Sequence, residues 1–199
     1  KILLLNRNTS KVSSSRWAQG GIASVVRPDD SFDLHAQDTI KAGDGLCDFR
    51  AVEMLVREAP SCVERLQDLG MIFDQSCDQL STTLEAAHSR RRVLHVKDRT
   101  GRALVEVLED HVENKKNILH CRGVRVTELL IEDNECKGVQ VLDGSNLYWI
   151  TSKAVVLATG GGGHLFTNTT NPAQSSGEGI ALSWKAGAAI EDLEFIQFH

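Results

Sequence analysis

Two short apolar runs lie near opposite ends of the chain, and each leads into a stretch rich in serine or glycine. The first run is Ile2–Leu5 and the second is Ala154–Ala158. Continuous apolar runs of this length are typical of strands buried on both faces, as in a parallel sheet covered by helices. The pattern therefore predicts two buried strands, each followed by a loop.

Between these runs, apolar residues recur at the spacing of amphipathic helices. Asp48 is suited to cap a helix whose apolar face carries Val52, Leu55 and Val56, and Pro60 is suited to begin the next helix. The helix that begins at Pro60 would have four residues facing inward, namely Cys62, Val63, Leu66 and Leu69. The predicted helices are 33–42, one beginning at Asp48, one from Pro60 to Gly70, 100–114 and 177–188.

Residues 118–150 follow a different rule, because their apolar positions alternate as they do in half-buried strands. Turn-forming residues at 133–135 and 143–146 divide this region, which predicts an antiparallel meander. Met71–Phe73 is predicted to be a further short strand, and 75–92 to be a long irregular loop.

Length and charge limit the class of protein. A chain of 199 residues fits one domain with a buried core. Its net charge of −5 and isoelectric point near 5.8 argue against a general attraction to nucleic acid or to an anionic membrane. No apolar run approaches the roughly 20 residues that a membrane-spanning helix needs. We therefore expect neither nucleic acid nor a membrane as a partner.

The number and spacing of the cysteines and histidines indicate a cellular compartment and argue against a metal site. The cysteines are odd in number, widely spaced and without a CxxC pair, and they are Cys47, Cys62, Cys77, Cys121 and Cys136. This pattern argues against a disulfide scaffold and a zinc site, and it predicts a reducing cytoplasm. The seven histidines are scattered, so no metal site is predicted.

The loops after the two apolar runs are the candidate ligand sites. Ser13–Ile22 reads SSSRWAQGGI, and its hydroxyls and free backbone N–H groups could surround a phosphate or a polar ring edge. Gly-Gly after polar residues also makes an ordinary turn. Gly160–Gly163 could end a strand in a simple turn, but four glycines in succession exceed that need and allow close backbone approach to a ligand.

Several motifs, taken in their order along the chain, resemble those of one known family. SSSRWAQGGIASVV, HAQDTIKAGDGLCD, LEAAHSRRRVLH, DRTGRAL, AVVLATGGGGHLF and the closing TTNPAQSSGEGIALSWKAGAAIEDLEFIQFH are similar to the flavoprotein subunits of succinate dehydrogenase and fumarate reductase. The resemblance implies an α/β fold, a Rossmann-like FAD-binding domain of the glutathione-reductase type with an inserted antiparallel β-meander. Residues 1–199 would form this domain in part.

The same resemblance implies that further segments exist outside this sequence. A dinucleotide-binding unit carries GxGxxG after its first strand, and none precedes Ile2. We therefore expect Ile2–Leu5 to be the second strand of that unit. The first βα unit, the capping domain and the C-terminal helical domain are expected to lie outside 1–199, with His199 at the start of the capping domain.

FAD is the cofactor that the resemblance implies. Arg7, beside Asn6, would meet the adenosine ribose, and Val124–Val126 would touch adenine. The loop expected to line the pyrophosphate and the flavin is Ser14, Ser15, Arg16, Trp17, Ala18, Gln19, Gly20 and Gly21. Glu178 would contact the flavin, although an acid in the first turn of a helix also complements the helix dipole. Ser14 stands where covalent members of the family carry a histidine, so we expect FAD to be bound non-covalently.

The resemblance also implies two catalytic residues. Glu85 matches a glutamate that holds a substrate ammonium in members that oxidise an amino acid, and a carboxylate suits that role. Glu85 could also be a solvated loop acid. His199, in EFIQFH, would bind a substrate carboxylate. His88 and His95 flank Arg90–Arg92, which either face an anion or form a solvated basic loop.

The function implied is that of the family members that oxidise L-aspartate to iminoaspartate. Oxygen or fumarate would accept the electrons, and the product would enter quinolinate formation and NAD biosynthesis, with quinolinate synthase as a possible protein partner. Two alternatives remain: a fumarate reductase or succinate dehydrogenase flavoprotein, and a catalytically inactive flavin-domain fragment. The expected absence of the surrounding segments predicts that residues 1–199 alone are inactive.

Overall fold

The structure is a computed structural model that describes residues 1–9 and 12–197. The chain divides into two compact units. The first contains the described parts of Lys1–Ser14 and Val112–His199, and the second is Ser15–His111. The two units are described separately below.

In the first unit, β1 (Ile2–Asn6) pairs in parallel with β7 (Ile118–Arg122). The apolar run near the start of the chain therefore forms the expected strand. Its expected burial is wrong, because Ile2 is 55% exposed and Leu3 and Leu4 are also exposed. The physical reason is that β1 and β7 make a sheet of only two strands in the described part of the chain, which leaves the faces of β1 largely uncovered.

Three long strands form a second sheet in the same unit. They are β8 (Arg125–Glu132), β9 (Glu135–Asp143) and β10 (Asn146–Thr151), and the order is β10-β9-β8 with antiparallel pairing throughout. Asp133 and Asn134 both have positive φ angles, which is the two-residue turn that joins twisted antiparallel strands. The alternating pattern thus corresponds to three antiparallel strands from Arg125 onward, whereas the start of the predicted meander at 118 is wrong, because Ile118–Arg122 forms β7 and pairs in parallel with β1.

The second expected buried strand, Ala154–Ala158, is absent. The segment adopts no regular structure, and the side chain of Val156 is 88% exposed. A strand requires a neighbour to satisfy its N–H and C=O groups, and no described strand pairs with this segment. The chain then passes through a 3-10 turn at Gly163–Leu165 to α5 (Glu178–Lys185), which follows Gly177 as expected.

The second unit begins at Ser15, within the single turn α1 (Ser14–Trp17), and contains α2 (Phe32–Ala42), α3 (Phe49–Asp68) and most of α4 (Thr100–Glu113). Ser31 caps α2 by accepting a hydrogen bond from the Leu34 amide. Asp48 caps α3 by accepting from the amides of Arg50 and Ala51. α2 and α3 pack against each other.

α3 corrects the expectation that Pro60 begins a separate helix. One helix continues through Pro60, although an internal proline costs about 3 kcal/mol. The cost is offset because buried residues on both sides of Pro60 continue the same apolar stripe. These residues are Val52, Val56 and Val63. Leu55 and Cys62, which were expected to face inward, are exposed.

The core of the second unit is formed by Val63, Met71, Phe73 and Leu94. Met71–Phe73 is not the expected strand, but its alternation is real, because Ile72 between the two buried side chains is 79% exposed. Small antiparallel ladders surround this core. They are β2 (Ile22–Ala23), β3 (Gln75–Ser76), β4 (Gln79–Leu80), β5 (Thr82–Thr83) and β6 (Val93–Leu94), so the expected loop 75–92 is partly structured.

Candidate functional site

In the first unit, the carboxylate of Glu178 joins residues that are far apart in sequence. Its Oε1 lies 2.8 Å from Arg7 Nη1 and 2.8 Å from Arg125 Nη2. Arg7 Nη1 also donates to Ser176 Oγ at 3.1 Å. Glu178 is the first residue of α5, and an acid there complements the helix dipole. The structure thus brings together two of the sequence-predicted cofactor residues, Arg7 and Glu178.

The four glycines fall into two pairs with different surroundings. Gly160 and Gly161 have no atom within 4 Å of the position that a Cβ would take. Gly162 and Gly163 are packed instead, since a Cβ would lie 3.2 Å from Leu165 Cδ1 and 2.5 Å from Asn171 Nδ2, respectively. The first pair therefore leaves open space beside the backbone, whereas the second pair is packed against neighbouring side chains, most tightly at Gly163.

Backbone bonds connect this glycine run to the segment before α5. Gly177 donates to the carbonyl of Gly161 at 3.2 Å, and His164 donates to that of Ser175 at 2.9 Å. The hydroxyls of Ser14 and Ser175 lie 2.9 Å apart. Ser14, a predicted cofactor residue, is therefore positioned within the first unit by a residue that the sequence analysis did not single out.

In the second unit, the loop after α1 packs on the start of α4. The Gly101 amide donates to the Ala18 carbonyl at 3.0 Å, and a Cβ on Gly101 would overlap the Ser15 carbonyl. Arg16 forms an ion pair of 2.6 Å with Glu106. Gly21 lies so close to β6 that a Cβ would overlap the Leu94 carbonyl. These contacts fix the backbone of the predicted flavin loop.

A cavity of about 330 Å³ opens beside this loop. Its volume is at the lower end of the range for small-molecule sites. Three arginines and one aspartate give its wall an excess of positive charge. The lining residues are Arg16, Trp17, Ala18, Gln19, Asp98, Arg99 and Arg102. Four predicted cofactor residues therefore share one cavity wall, and Gly20 beside them faces open space.

Glu85 lies on a separate turn of the second unit. Its carbonyl accepts a hydrogen bond from the His88 amide at 3.2 Å, and Ala87 has a φ of 67°. The side chain of Glu85 is exposed, and it has no hydrogen-bond partner within the described residues. The carboxylate is thus available for a ligand. His199, the other predicted catalytic residue, lies outside the described residues.

A buried charge centre lies next to this turn. The guanidinium of Arg92 is fully buried and binds Asp30 through two hydrogen bonds of 2.7 and 2.8 Å. Arg92 Nη1 also contacts Asp38 Oδ2 at 2.5 Å. Burial alone would raise the pKa of Asp38, but hydrogen bonds from Ser89 and Arg92 outweigh it and lower this pKa to about 2. The centre is therefore ionised at neutral pH.

Of the two alternatives for Arg90–Arg92, an anion site or a solvated basic loop paired with nearby acids, the second describes them in part, because Arg90 and Arg91 are exposed and Arg92 pairs with acids but is buried. Arg92 is buried, whereas Arg90 and Arg91 point to backbone carbonyls of Asp29 and Thr82. His95 hydrogen bonds to Asp74 at 3.0 Å. Sequence reasoning missed Asp30, Asp38 and Arg125, because charges separated by 50 or more residues carry no local spacing signal.

These observations define a class of protein. The sequence model of one family, described as the FAD binding domain, matches residues 1–199, and the chain belongs to this family. Among curated proteins, it is similar to L-aspartate oxidase from Nostoc sp., with 48% identity over 100% of this chain and 35% of that protein. L-aspartate oxidase from Synechocystis sp. is 45% identical over 100% of this chain and 36% of its own length.

The chain spans about a third of the length of these relatives. Among solved structures, it is similar to E. coli quinol fumarate reductase, with a TM-score of 0.89 and 26% identity. The match covers 93% of this chain and 32% of that one. The chain therefore has the FAD-binding α/β fold of the fumarate reductase and succinate dehydrogenase flavoproteins.

FAD is the cofactor of this family, and the residues present fit it. Hydroxyl and guanidinium groups suit phosphate and ribose oxygens, and such groups occur in each unit taken by itself. The first unit has Arg7 and Ser14, and the second has the arginine-rich cavity wall. The backbone at Gly20, Gly160 and Gly161 is open to close approach. No described helix is both long and apolar enough to cross a membrane.

Proposed function

We propose that the whole protein oxidises L-aspartate to iminoaspartate, and that oxygen or fumarate accepts the electrons. The product would feed quinolinate formation and NAD biosynthesis, with quinolinate synthase as a possible partner. The similarity to L-aspartate oxidases over the whole chain supports this activity. The observation that carries it is the exposed carboxylate of Glu85 on a turn that is otherwise well anchored.

The chain's own residues would bind and orient. Glu85 would receive the α-ammonium group of L-aspartate through charge-assisted hydrogen bonds. His199 would bind a substrate carboxylate. Arg7, Glu178 and the loop from Ser14 to Gly21 would hold the cofactor. FAD, when bound, supplies the hydride acceptor. Orientation and charge placement by these residues account for the protein's part in catalysis.

We further propose that FAD is bound non-covalently. A serine, Ser14, occupies the position of the covalent histidine, and its hydroxyl lies against Ser175. Acid precipitation of the full-length holoprotein should release all the flavin into the supernatant. Flavin that stays with the pelleted protein would contradict this proposal.

Glu85→Gln in the full-length protein tests the substrate. It should lower kcat/KM for L-aspartate about ten- to a hundredfold, because a charged hydrogen bond contributes roughly 1.5–3 kcal/mol. Reduction of fumarate, which has no ammonium, should change far less. Glu64→Gln, at an exposed site of α3, is the control. Equal losses on both substrates would show that Glu85 does not recognise the ammonium.

A second candidate is a fumarate reductase or succinate dehydrogenase flavoprotein, which the similarity to solved fumarate reductase favours. Such an enzyme would have no need of Glu85, so the same variant separates the two. A catalytically inactive flavin-domain fragment is the third. Residues 1–199 alone should produce no peroxide from L-aspartate, even with added FAD; turnover that is abolished by His199→Ala would contradict this expectation.

The finer fold assignment is also a proposal. We infer a Rossmann-like domain in which β8, β9 and β10 are an insertion, and in which a first βα unit from outside this sequence packs beside β1. The exposed apolar side chains of β1 and of Ala154–Ala158 support this inference. Capping and helical domains would follow 1–199. Five unpaired cysteines support a reducing cytoplasm as the location.

A further inference from the structure

Hydrogen bonds to Asp38 attach the turn that carries Glu85 to helix α2. Both the amide and the hydroxyl of Ser89 donate to Asp38 Oδ2, each at 2.8 Å. Asp38 lies in α2, whose N-terminus is capped by Ser31. Two donors from one residue to one carboxylate oxygen fix both the position and the rotation of that residue. The end of the turn is therefore held against a regular helix.

Asp38 is itself held from the other side. Arg92 Nη1 contacts the same oxygen, and the remainder of the guanidinium is bound to Asp30. Because Arg92 is fully buried and saturated by two carboxylates, it cannot rotate without leaving a buried charge unpaired. The carboxylate of Asp38 consequently has one orientation.

His88 is fixed by the same arginine. Its Nδ1 lies 3.1 Å from Arg92 Nη1, and a guanidinium is always a donor, so Nδ1 must accept. The neutral ring then carries its proton on Nε2. The buried ring of His35 packs against His88 with centroids 5.8 Å apart. Residues 88 and 89 therefore cannot shift independently of Arg92 and Asp38.

The first half of the turn, which contains Glu85, is positioned by the second half, which contains His88 and Ser89. The His88 amide closes the turn onto the Glu85 carbonyl, and Ala87, the third residue of this turn, has a left-handed backbone conformation. We propose that Asp38, oriented by Arg92, is a positioning residue that sets the place of the Glu85 carboxylate and thereby the affinity for the substrate ammonium. This inference rests on the proposed function, in which Glu85 is the ammonium ligand.

The test uses Ser89→Ala in the full-length holoprotein. This variant removes one of the two bonds to Asp38 and leaves the amide in place, so the protein should still fold and bind FAD. We expect KM for L-aspartate to rise about three- to tenfold, the value of one hydrogen bond, while kcat and the kinetics of fumarate reduction stay within about twofold. Ser89→Thr, which restores a hydroxyl, should recover most of the affinity.

Ser61→Ala is the matched control, because Ser61 Oγ also makes a 2.9 Å bond but lies on the exposed side of α3. It should leave both substrates unaffected. A loss in Ser89→Ala that is equal for L-aspartate and fumarate, or a parallel loss of flavin absorbance, would assign Asp38 a purely structural role and overturn the inference.

A double-mutant cycle separates this inference from the function on which it rests. If Asp38 acts through Glu85, Ser89→Ala should have no further effect on KM for L-aspartate in the Glu85→Gln background. Full additivity of the two substitutions would overturn the positioning role while leaving the proposed function intact. If Glu85→Gln alone is not selective for L-aspartate, the proposed function fails first.

Discussion

The two units contain charge centres of opposite character. Arg92 and Asp30 in the second unit have side chains that are 0% exposed, and every polar group of Arg92 is directed at a named partner. Glu178 in the first unit is 34% exposed, and its partner Arg125 is 54% exposed. Buried ion pairs are costly to break, whereas exposed ones contribute about 0–1 kcal/mol. The first type fixes a fold, and the second stays accessible to a ligand.

Arg92→Ala should have the largest effect on stability, because it removes the cation of the buried centre. This substitution leaves the buried carboxylate of Asp30 and the partly buried carboxylate of Asp38 without their counter-ion, which should cost about 3–5 kcal/mol of unfolding free energy. Urea unfolding of the full-length protein measures the change. Arg90→Ala, at an exposed neighbouring position, is the control and should cost less than about 1 kcal/mol. Similar losses in both variants would mean that the buried centre has no special stability.

Acid should lower the stability of the folded chain through the same buried centre. The pKa of Asp38 is about 2 in the folded chain against an ordinary value of 3.8, so the folded state holds this proton less tightly than the unfolded state. Its stabilisation is fully present above about pH 4 and is lost as the pH falls towards 2. A shift of this size corresponds to about 2 kcal/mol.

In Asp38→Asn, the dependence of unfolding free energy on pH between 4 and 2 should be correspondingly smaller. Asp30, whose pKa is also lowered because hydrogen bonds from Arg92 and Ser31 outweigh the effect of burial, titrates in the same direction and should retain part of the slope. Asp68→Asn, at the exposed end of α3, is the control. An unchanged slope in Asp38→Asn would contradict the assignment.

The smallest effect on stability is expected at the exposed centre. Glu178→Gln should change the unfolding free energy by less than about 1 kcal/mol. FAD affinity should nevertheless fall by about threefold or more, because the orientation of Arg7 depends on this carboxylate. Glu128→Gln, on the exposed side of β8, is the control. A large loss of stability with unchanged affinity would assign Glu178 to the fold alone.

The two types of interaction also differ in how far the sequence could predict them. Local sequence patterns predicted the bounds of α2 and α4 closely, because helix caps and periodic apolar stripes depend on residues only a few positions apart. They failed at Ala154–Ala158, because a strand exists only where another strand pairs with it. They also failed at Pro60, where packing on both sides outweighs a local penalty.

The candidate site residues also differ in how far the sequence could predict them. The motif around Ser14–Gly21 was identified from its composition and its resemblance to a family, and the comparisons confirm FAD as the cofactor. The pairing of Arg7 with Glu178 joins residues 171 positions apart, and that of Arg92 with Asp30 spans 62. Neither has a spacing that a linear pattern could reveal. Whether these residues bind FAD or substrate stays a prediction.

The uncovered segment Ala154–Ala158 has a consequence for handling the chain. It is a run of apolar, partly β-branched residues with no strand partner in the described part of the chain, and Val156 projects outward. Sequences of this kind template pairing between copies, because their free N–H and C=O groups can bind an identical segment. A single charge, on Lys153, borders it. Self-association of this polypeptide should therefore begin here and grow with concentration.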